Sequence, residues 1–370
     1  MGSPALVKCL VWDLDNTLWD GTLLEDGAVP PRDGVADVIA ALDARGILQS
    51  VSSKNDHDLA WARLTELGLA EYFVFPQIGW GRKPDAVIRI AERLRFALGT
   101  MAFVDDTPAE RAEVRFHAPE VRCYTPEQIP ELVSLPEFSP ATVTVDARRR
   151  RTMYRAGFER EAAQAEFDGP DEEFLRSLKV EMRIARATGD LLSRVEELTL
   201  RTSQMNATGV HYSDAELRGL LADPRHEVLV TTVSDRFGPY GAVGVLLLER
   251  HGPVWHLKLL ATSCRVVSLG AGSAILGWLS GQAARAGVHL VADFRATERN
   301  RMMEVAYRFA GFGDAACACR DAVAPAAPEI QRLHLTPVEQ PPPAALRLEA
   351  PDLAAGAGRA RLSRTASAPG

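Results

Sequence analysis

The chain has 370 residues, of which 46% are hydrophobic and 25% charged, and carries a formal net charge of -7. That length makes two domains the default, each able to bury a sizeable core, and the negative balance argues against nucleic acid as the main partner. No apolar run is long enough for a bilayer and no secretory leader is read, so no membrane role and a cytoplasmic location are expected; five cysteines spread along the chain fit reduced thiols.

Residues 5–12, Ala5-Leu6-Val7-Lys8-Cys9-Leu10-Val11-Trp12, read as a buried parallel strand. It delivers Asp13 and Asp15, which point the same way because side-chain direction in an extended chain repeats every two residues. One carboxylate can attack phosphorus and the other can protonate the leaving oxygen and later deprotonate water, with a magnesium ion screening the approach of anion to anion. A flap spans residues 18–32 and a helix closes at Gly46. A second strand, residues 47–51, leads to Ser52-Ser53-Lys54-Asn55, where a hydroxyl can hold a phosphoryl oxygen. Lys83 stands just before a helix, placed to neutralise phosphate and the attacking acid. Strand 100–104 then delivers Asp105-Asp106, a pair suited to a hard metal.

The order Asp-x-Asp, Ser, Lys, Asp-Asp resembles the haloacid dehalogenase superfamily of phosphatases. The resemblance implies that Asp13 is the nucleophile, Asp15 the general acid/base, Ser53 the phosphoryl-binding hydroxyl with Ser52 as near alternative, and Lys83 the charge clamp. Asn16 joins the phosphate-binding set. Mg2+ is implied as cofactor, with Asp13, Asp15, Asp105 and Asp106 at the metal and Asp15 contributing its backbone carbonyl. The intervals between these signals leave no room for a cap domain, so the site should be open.

The fold class expected is α/β: a capless, Rossmann-like parallel sheet over residues 1–135, a helical connector over 136–179, and a second α/β domain over 180–322. The Pro-rich run near Leu135-Pro136 marks the first boundary, and the Ala/Pro-rich tail 323–370 should be disordered. The basic run Arg148-Arg149-Arg150-Arg151 reads as a solvated helix face. Within the second domain, helix 190–202, strand 227–233, a hairpin of strands 241–248 and 254–260, helix 272–286, strand 288–294 and helix 301–310 follow one another. Cys317-Ala318-Cys319 lacks the spacing and companions of a zinc site.

Strand 255–260, then Leu269-Gly270-Ala271-Gly272, then a helix, resembles the GNAT acyltransferase fold. The resemblance implies that Gly270 and Gly272 present backbone amides to the pyrophosphate of coenzyme A or phosphopantetheine, although Val267 stands where glutamine or arginine is usual. Cys264, beside Arg265, can form a thioester as a thiolate or can be a small buried hydrophobe; Cys9 is the rival acyl carrier. His211 could serve as a base or only as a polar loop residue.

Taken together, Lys8 to Trp19, Ser53-Lys54-Asn55-Asp56, Phe103 to Arg111, Arg201-Thr202-Ser203-Gln204-Met205-Asn206 and Ser263-Cys264-Arg265-Val266 resemble the FkbH-like proteins of polyketide biosynthesis. The resemblance covers roughly residues 5 to 315. It implies transfer of a glyceryl unit from 1,3-bisphosphoglycerate to a phosphopantetheinylated acyl carrier protein, with loss of phosphate, for extender units such as methoxymalonyl-carrier. Trp19-Asp20-Gly21 and Lys83-Pro84-Asp85 depart from the family's paired glycines and its serine after lysine. A free-standing magnesium-dependent phosphatase of a small phosphomonoester is the alternative.

Overall fold

The computed structural model describes residues 5–140, 142–201, 205–298, 300–339 and 346–356, so Thr202, Ser203 and Gln204 of the quoted motif lie outside the described residues. The chain divides into two compact units, Met1–Phe158 and Glu159–Gly370. Among the described residues no helix is long and apolar enough to cross a membrane.

In the first unit, strands β1 (Cys9–Trp12), β2 (Leu48–Ser53), β3 (Gln77–Ile78), β4 (Met101–Val104) and β5 (Arg122–Tyr124) form a sheet in the order β3-β2-β1-β4-β5, and every pairing is parallel. The central strand is apolar throughout because both its faces are covered. Leu10 and Trp12 enter one core with Val51 and Val104, while Cys9 and Val11 enter the other with Leu48 and Phe103. Helices α1 (Leu23–Asp26), α2 (Val35–Ala44), α3 (His57–Glu66), α4 (Lys83–Leu94) and α5 (Pro108–His117) make the crossovers that parallel strands require. Between β1 and β2 lie only α1 and α2, and between β2 and β3 only α3 and a 3-10 turn. Neither interval holds a cap.

Helix α6 (Val145–Arg148) precedes α7 (Arg150–Ala165), and the boundary between the units falls inside α7. Arg148 and Arg149 are exposed, as a solvated face should be. Arg150 and Arg151 are not free: Arg150 donates to the carbonyl of Gly46 at 2.6 Å and Arg151 to Asp43 at 3.0 and 3.3 Å. The expectation of a wholly solvated run is corrected there, because the end of α2 offers both a carbonyl and a carboxylate.

After the end of α7, the second unit holds α8 (Asp171–Ser177), β6 (Val180–Arg186), α9 (Leu192–Arg201), α10 (Asp214–Ala222), β7 (His226–Asp235), β8 (Gly238–His251), β9 (Val254–Thr262), α11 (Ala271–Ala286), β10 (His289–Phe294), α12 (Arg301–Phe309), β11 (Gln331–Leu335) and β12 (Leu346–Glu349). Its seven strands run β11-β10-β9-β8-β7-β6-β12. Strands β6 to β9 form an antiparallel meander, and β9 pairs in parallel with β10 through the α11 crossover. Both edge strands come from the segment expected to be disordered. Leu333 and Leu346 bury their side chains in the main core of this unit, which outweighs the surrounding proline and alanine. Residues 340–345 and 357–370 of that tail lie outside the described residues.

Candidate active site

The site lies at the carboxyl end of the first sheet, where the chain leaves β1 for β2 on one side and β4 continues the sheet on the other; such switch points open a crevice beyond the strand ends. Asp13 directly follows β1, Ser52 and Ser53 end β2, and Asp105 and Asp106 follow β4. Lys83 opens α4, whose Lys83, Pro84, Val87, Ile90, Ala91 and Leu94 are buried at helical spacing and fix the lysine on the sheet side.

Lys83 is 2% exposed. Its ammonium donates to Asp13 Oδ1 and, at 2.8 Å, to the carbonyl of Ser52; Asp105 Oδ2 lies at 3.1 Å and Glu110 Oε2 at 3.3 Å. Burial works against this charge, but Asp13, Asp105 and Glu110 together raise its pKa above that of an ordinary lysine. Asp13 is 5% exposed, and Thr17 Oγ1 donates to its Oδ2 at 3.2 Å. Burial raises the Asp13 pKa despite the pull of Lys83. The same Thr17 hydroxyl accepts from the Asp106 backbone N–H at 3.0 Å, so it ties the first acid to the last pair.

Asp15 is held differently. Its Oδ1 accepts from Trp19 Nε1 at 2.7 Å and Leu23 N at 3.1 Å, and its Oδ2 accepts from Asn55 Nδ2 at 3.0 Å. Three neutral donors fix the carboxylate and leave a lone pair on Oδ2 for a proton. Asn16, expected at the phosphate, serves the flap turn: it adopts a left-handed backbone, and its Oδ1 accepts from Gly21 N at 3.3 Å. Ser52 and Ser53 are both buried, and the Ser53 carbonyl accepts from Gly79 N at 3.0 Å.

One ligand atom from each of Asp13, Asp105 and Asp106 lies within 4.8 Å of the others. Asp105 Oδ2 is buried with the Lys83 ammonium as its near partner at 3.1 Å, while its Oδ1 accepts from Thr107 N at 2.7 Å. Four carboxylates, those of Asp13, Asp105, Asp106 and Glu110, face two ammonium groups, since Lys54 also meets Glu110 at 2.7 Å. The excess negative charge and the convergence of three carboxylates fit a hard divalent cation bound through oxygen. The Asp15 side chain stands outside this cluster, which leaves its backbone carbonyl as the contribution to the metal that the resemblance implies.

Burial pushes the Asp105 carboxyl up to about 7, with Lys83 opposing. Without metal, the folded protein therefore holds a proton there that the unfolded chain has released above about pH 4. The folded state binds more protons across this window, so its stability falls as pH rises from about 4 to about 7. Urea titrations of chelated protein at pH 5 and 7.5 check this: wild type should lose more stability over the interval than Asp105→Asn. Equal losses would mean that Asp105 titrates normally.

No role is assigned from sequence to Thr17, Asn55 or Glu110, yet each holds a site residue. Glu110 binds both Lys54 and Lys83 from the first turn of α5, and Asn55 orients Asp15. Of the three, Asn55 alone carried a positional signal, two residues past the end of β2.

In the second unit, Cys264 is exposed in the 3-10 turn after β9, and Arg265 Nε donates to Ser263 Oγ at 3.2 Å. Cys9 is fully buried at the amino end of β1, away from the strand end that carries the acids, and burial pushes its thiol far up. That removes the rival acyl carrier. Gly270 takes the left-handed conformation that opens α11, and Gly272 has open space where a Cβ would be. His211 pairs through Nδ1 with Thr199 Oγ1 at 2.9 Å. A pantetheine arm laid along β9 would meet an edge that is already engaged. Pairing with β10 ends at Leu257, and beyond it Ala207 N donates to the Leu260 carbonyl at 2.9 Å and Thr262 N to the Met205 carbonyl at 2.8 Å.

Residues 23–113 match the family model of the haloacid dehalogenase-like hydrolases. The match begins after Asp13 and Asp15 and includes Ser53, Lys83, Asp105 and Asp106. Among solved structures, the N-terminal part of BF1531 from Bacteroides fragilis, which contains a phosphatase domain and is complexed with Mg, is 29% identical over 37% of this chain and 42% of its own, with a TM-score of 0.33. The chain thus spans less than half of that relative. The ribosomal-protein-S18-alanine N-acetyltransferase of Escherichia coli is 16% identical over 36% of this chain and 79% of its own, with a TM-score of 0.29. Tetrahymena GCN5 is 12% identical over 42% and 94%, with a TM-score of 0.32. No curated protein matches the chain. The first unit carries a haloacid dehalogenase-like hydrolase domain, and the fold class is the expected α/β one, a parallel sheet followed by a second α/β domain on a mixed sheet.

Proposed function

We propose that the protein is a magnesium-dependent phosphatase and glyceryl transferase that takes a glyceryl unit from 1,3-bisphosphoglycerate, passes it to the phosphopantetheine thiol of an acyl carrier protein, and removes the remaining phosphate. The observation that carries the phosphatase half is the meeting of Asp13, Lys83, Asp105 and Asp106 beyond adjacent parallel strands. The transfer half is supported by the FkbH-like motifs, by the exposed thiol of Cys264, and by the absence of a cap between β1 and β3. An open site suits a phosphate on an acyl group that is still tethered to protein.

Asp13, Asp105, Asp106 and the Asp15 carbonyl would hold Mg2+, which supplies positive charge against the phosphoryl oxygens. An Asp13 carboxylate oxygen attacks phosphorus as the bond from phosphorus to the glyceryl oxygen breaks, and Asp15 gives its proton to that leaving oxygen. Water then attacks the aspartyl phosphate, Asp15 takes the water's proton, and phosphate departs with Asp13 restored. Lys83 offsets the charge that builds around Asp13. In the transfer step, the Cys264 thiolate attacks the acyl phosphate carbonyl and expels inorganic phosphate, and the carrier thiol then displaces Cys264 by thioester exchange.

Wild-type enzyme with 1,3-bisphosphoglycerate and a phosphopantetheinylated carrier should add one glyceryl group to the carrier by intact mass. Cys264→Ala should abolish that loading while leaving phosphatase turnover of a small phosphomonoester unchanged. Unchanged loading would exclude Cys264 as the acyl site and leave direct transfer. The engaged edge of β9 favours a second reading, a free-standing phosphatase of a small phosphomonoester. It predicts turnover of such esters and no mass gain on any carrier.

A further inference from the structure

The fold of the second unit brings four metal-binding side chains together. Cys317 and Cys319 flank the start of a 3-10 helix, His289 begins β10 and His334 lies in β11. One ligand atom from each of these four residues lies within 4.8 Å of all the others. The pair Cys317-Ala318-Cys319 has no companions along the sequence; the sheet supplies them. Val291 pairs with His334 across the antiparallel β10-β11 ladder, so His289 and His334 are diagonal neighbours on one face, within reach of long side chains.

Hydrogen bonding does not account for the convergence. His289 Nδ1 lies 3.0 Å from His334 Nε2 and 3.4 Å from Cys317 Sγ. An imidazole nitrogen has either one proton or one lone pair, directed along a single line in the ring plane, so it cannot serve both neighbours well. A central cation serves all of them. With metal to nitrogen bonds of about 2.0 Å and metal to sulfur bonds of about 2.3 Å, a tetrahedron has nitrogen to nitrogen edges of roughly 3.3 Å and nitrogen to sulfur edges of roughly 3.5 Å. The observed separations need only small outward shifts to reach these values.

We propose that His289, Cys317, Cys319 and His334 form a structural zinc site. Two thiolates and two imidazoles are the donor set that selects zinc over magnesium or calcium, and two thiolates neutralise a dication, so the closed site can be partly buried without net charge. Its location gives it a task. Residues 313–330 connect α12 and β11 with little regular structure beyond the 3-10 helix. Their apolar anchorage nearby is a small cluster of Val254, Val291 and Val323, with Cys319 packed against it. A metal joining Cys317 and Cys319 to two adjacent strands would fix this segment where a core of three valines is weak.

The full-length protein, purified without chelator under reducing conditions, should contain about one zinc per chain by elemental analysis, and Cys317→Ser/Cys319→Ser should lose it while retaining phosphatase turnover. Exchange of wild-type protein with Co2+ alone gives a second readout that no variant's folding can confuse: visible d–d bands of tetrahedral cobalt with sulfur-to-cobalt charge transfer. The phosphatase acids offer only oxygen and cannot produce that charge transfer. Zinc-free protein that takes up Co2+ without a thiolate band, or a Cys317–Cys319 disulfide in protein isolated without oxidant, would overturn the assignment.

Discussion

Replacing Asp13 by asparagine should lower phosphomonoester turnover by at least about a thousandfold, because the amide oxygen is a poor nucleophile toward phosphorus and no covalent intermediate forms. The fold should survive. Asp13 is buried beside a lysine that also meets Asp105, Glu110 and the Ser52 carbonyl, so the ammonium keeps three acceptors when the carboxylate is gone. Steady-state kinetics and circular dichroism on the same preparation separate the two effects. Turnover within tenfold of wild type would show that another group attacks phosphorus.

Lys83→Met should damage both chemistry and stability. The lysine neutralises acids from two strand ends and one helix, and removing one partner of a buried ion pair leaves the others uncompensated, at a cost of about 3–5 kcal/mol. The penalty should be largest in chelated protein at pH 8, above the raised pKa of Asp105, and smaller at pH 5, where a proton on Asp105 takes the place of the missing charge. Divalent cation should restore part of the loss, because the same acids can hold it. Chemical denaturation at the two pH values, with and without metal, checks this. A pH-independent loss would point to lost packing of the lysine stem instead.

The acids were legible because each follows an apolar run that ends abruptly: Asp13 after Leu10-Val11-Trp12, Asp105 after Ala102-Phe103-Val104. A short parallel strand buried on both faces has little choice about where it stops, so the side chains after it are placed by the sheet. Lys83 was legible for a related reason, at the start of an amphipathic helix. What could not be read was pairing across the sequence. Glu110 sits in an ordinary charged helix, and only the fold brings Lys54 and Lys83 to it. Helix α10 carried its own signal in Ser213-Asp214-Ala215-Glu216, which forms a reciprocal capping box, but its charged surface hides the periodicity.

The tail misled for the opposite reason. Leu346-Arg347-Leu348-Glu349 alternates as a half-buried strand does, yet it is short and follows a run of proline, and its partner β6 lies far back in the chain. Composition describes the average of such a segment, whereas burial of Leu333 and Leu346 decides where parts of it settle. The same distance in sequence conceals His289 and His334 from Cys317 and Cys319. Spacing rules detect a metal site when ligands share a loop, and here two histidines on a sheet face meet two cysteines from a 3-10 turn.

Intact-protein mass spectrometry of a phosphopantetheinylated carrier after incubation with 1,3-bisphosphoglycerate joins the acids of the first unit to the loading reaction. With wild-type enzyme the carrier should gain a glyceryl group; with Asp13→Asn it should gain a phosphoglyceryl group and keep it. Unphosphorylated glyceryl-carrier formed by the Asp13→Asn enzyme would contradict the account.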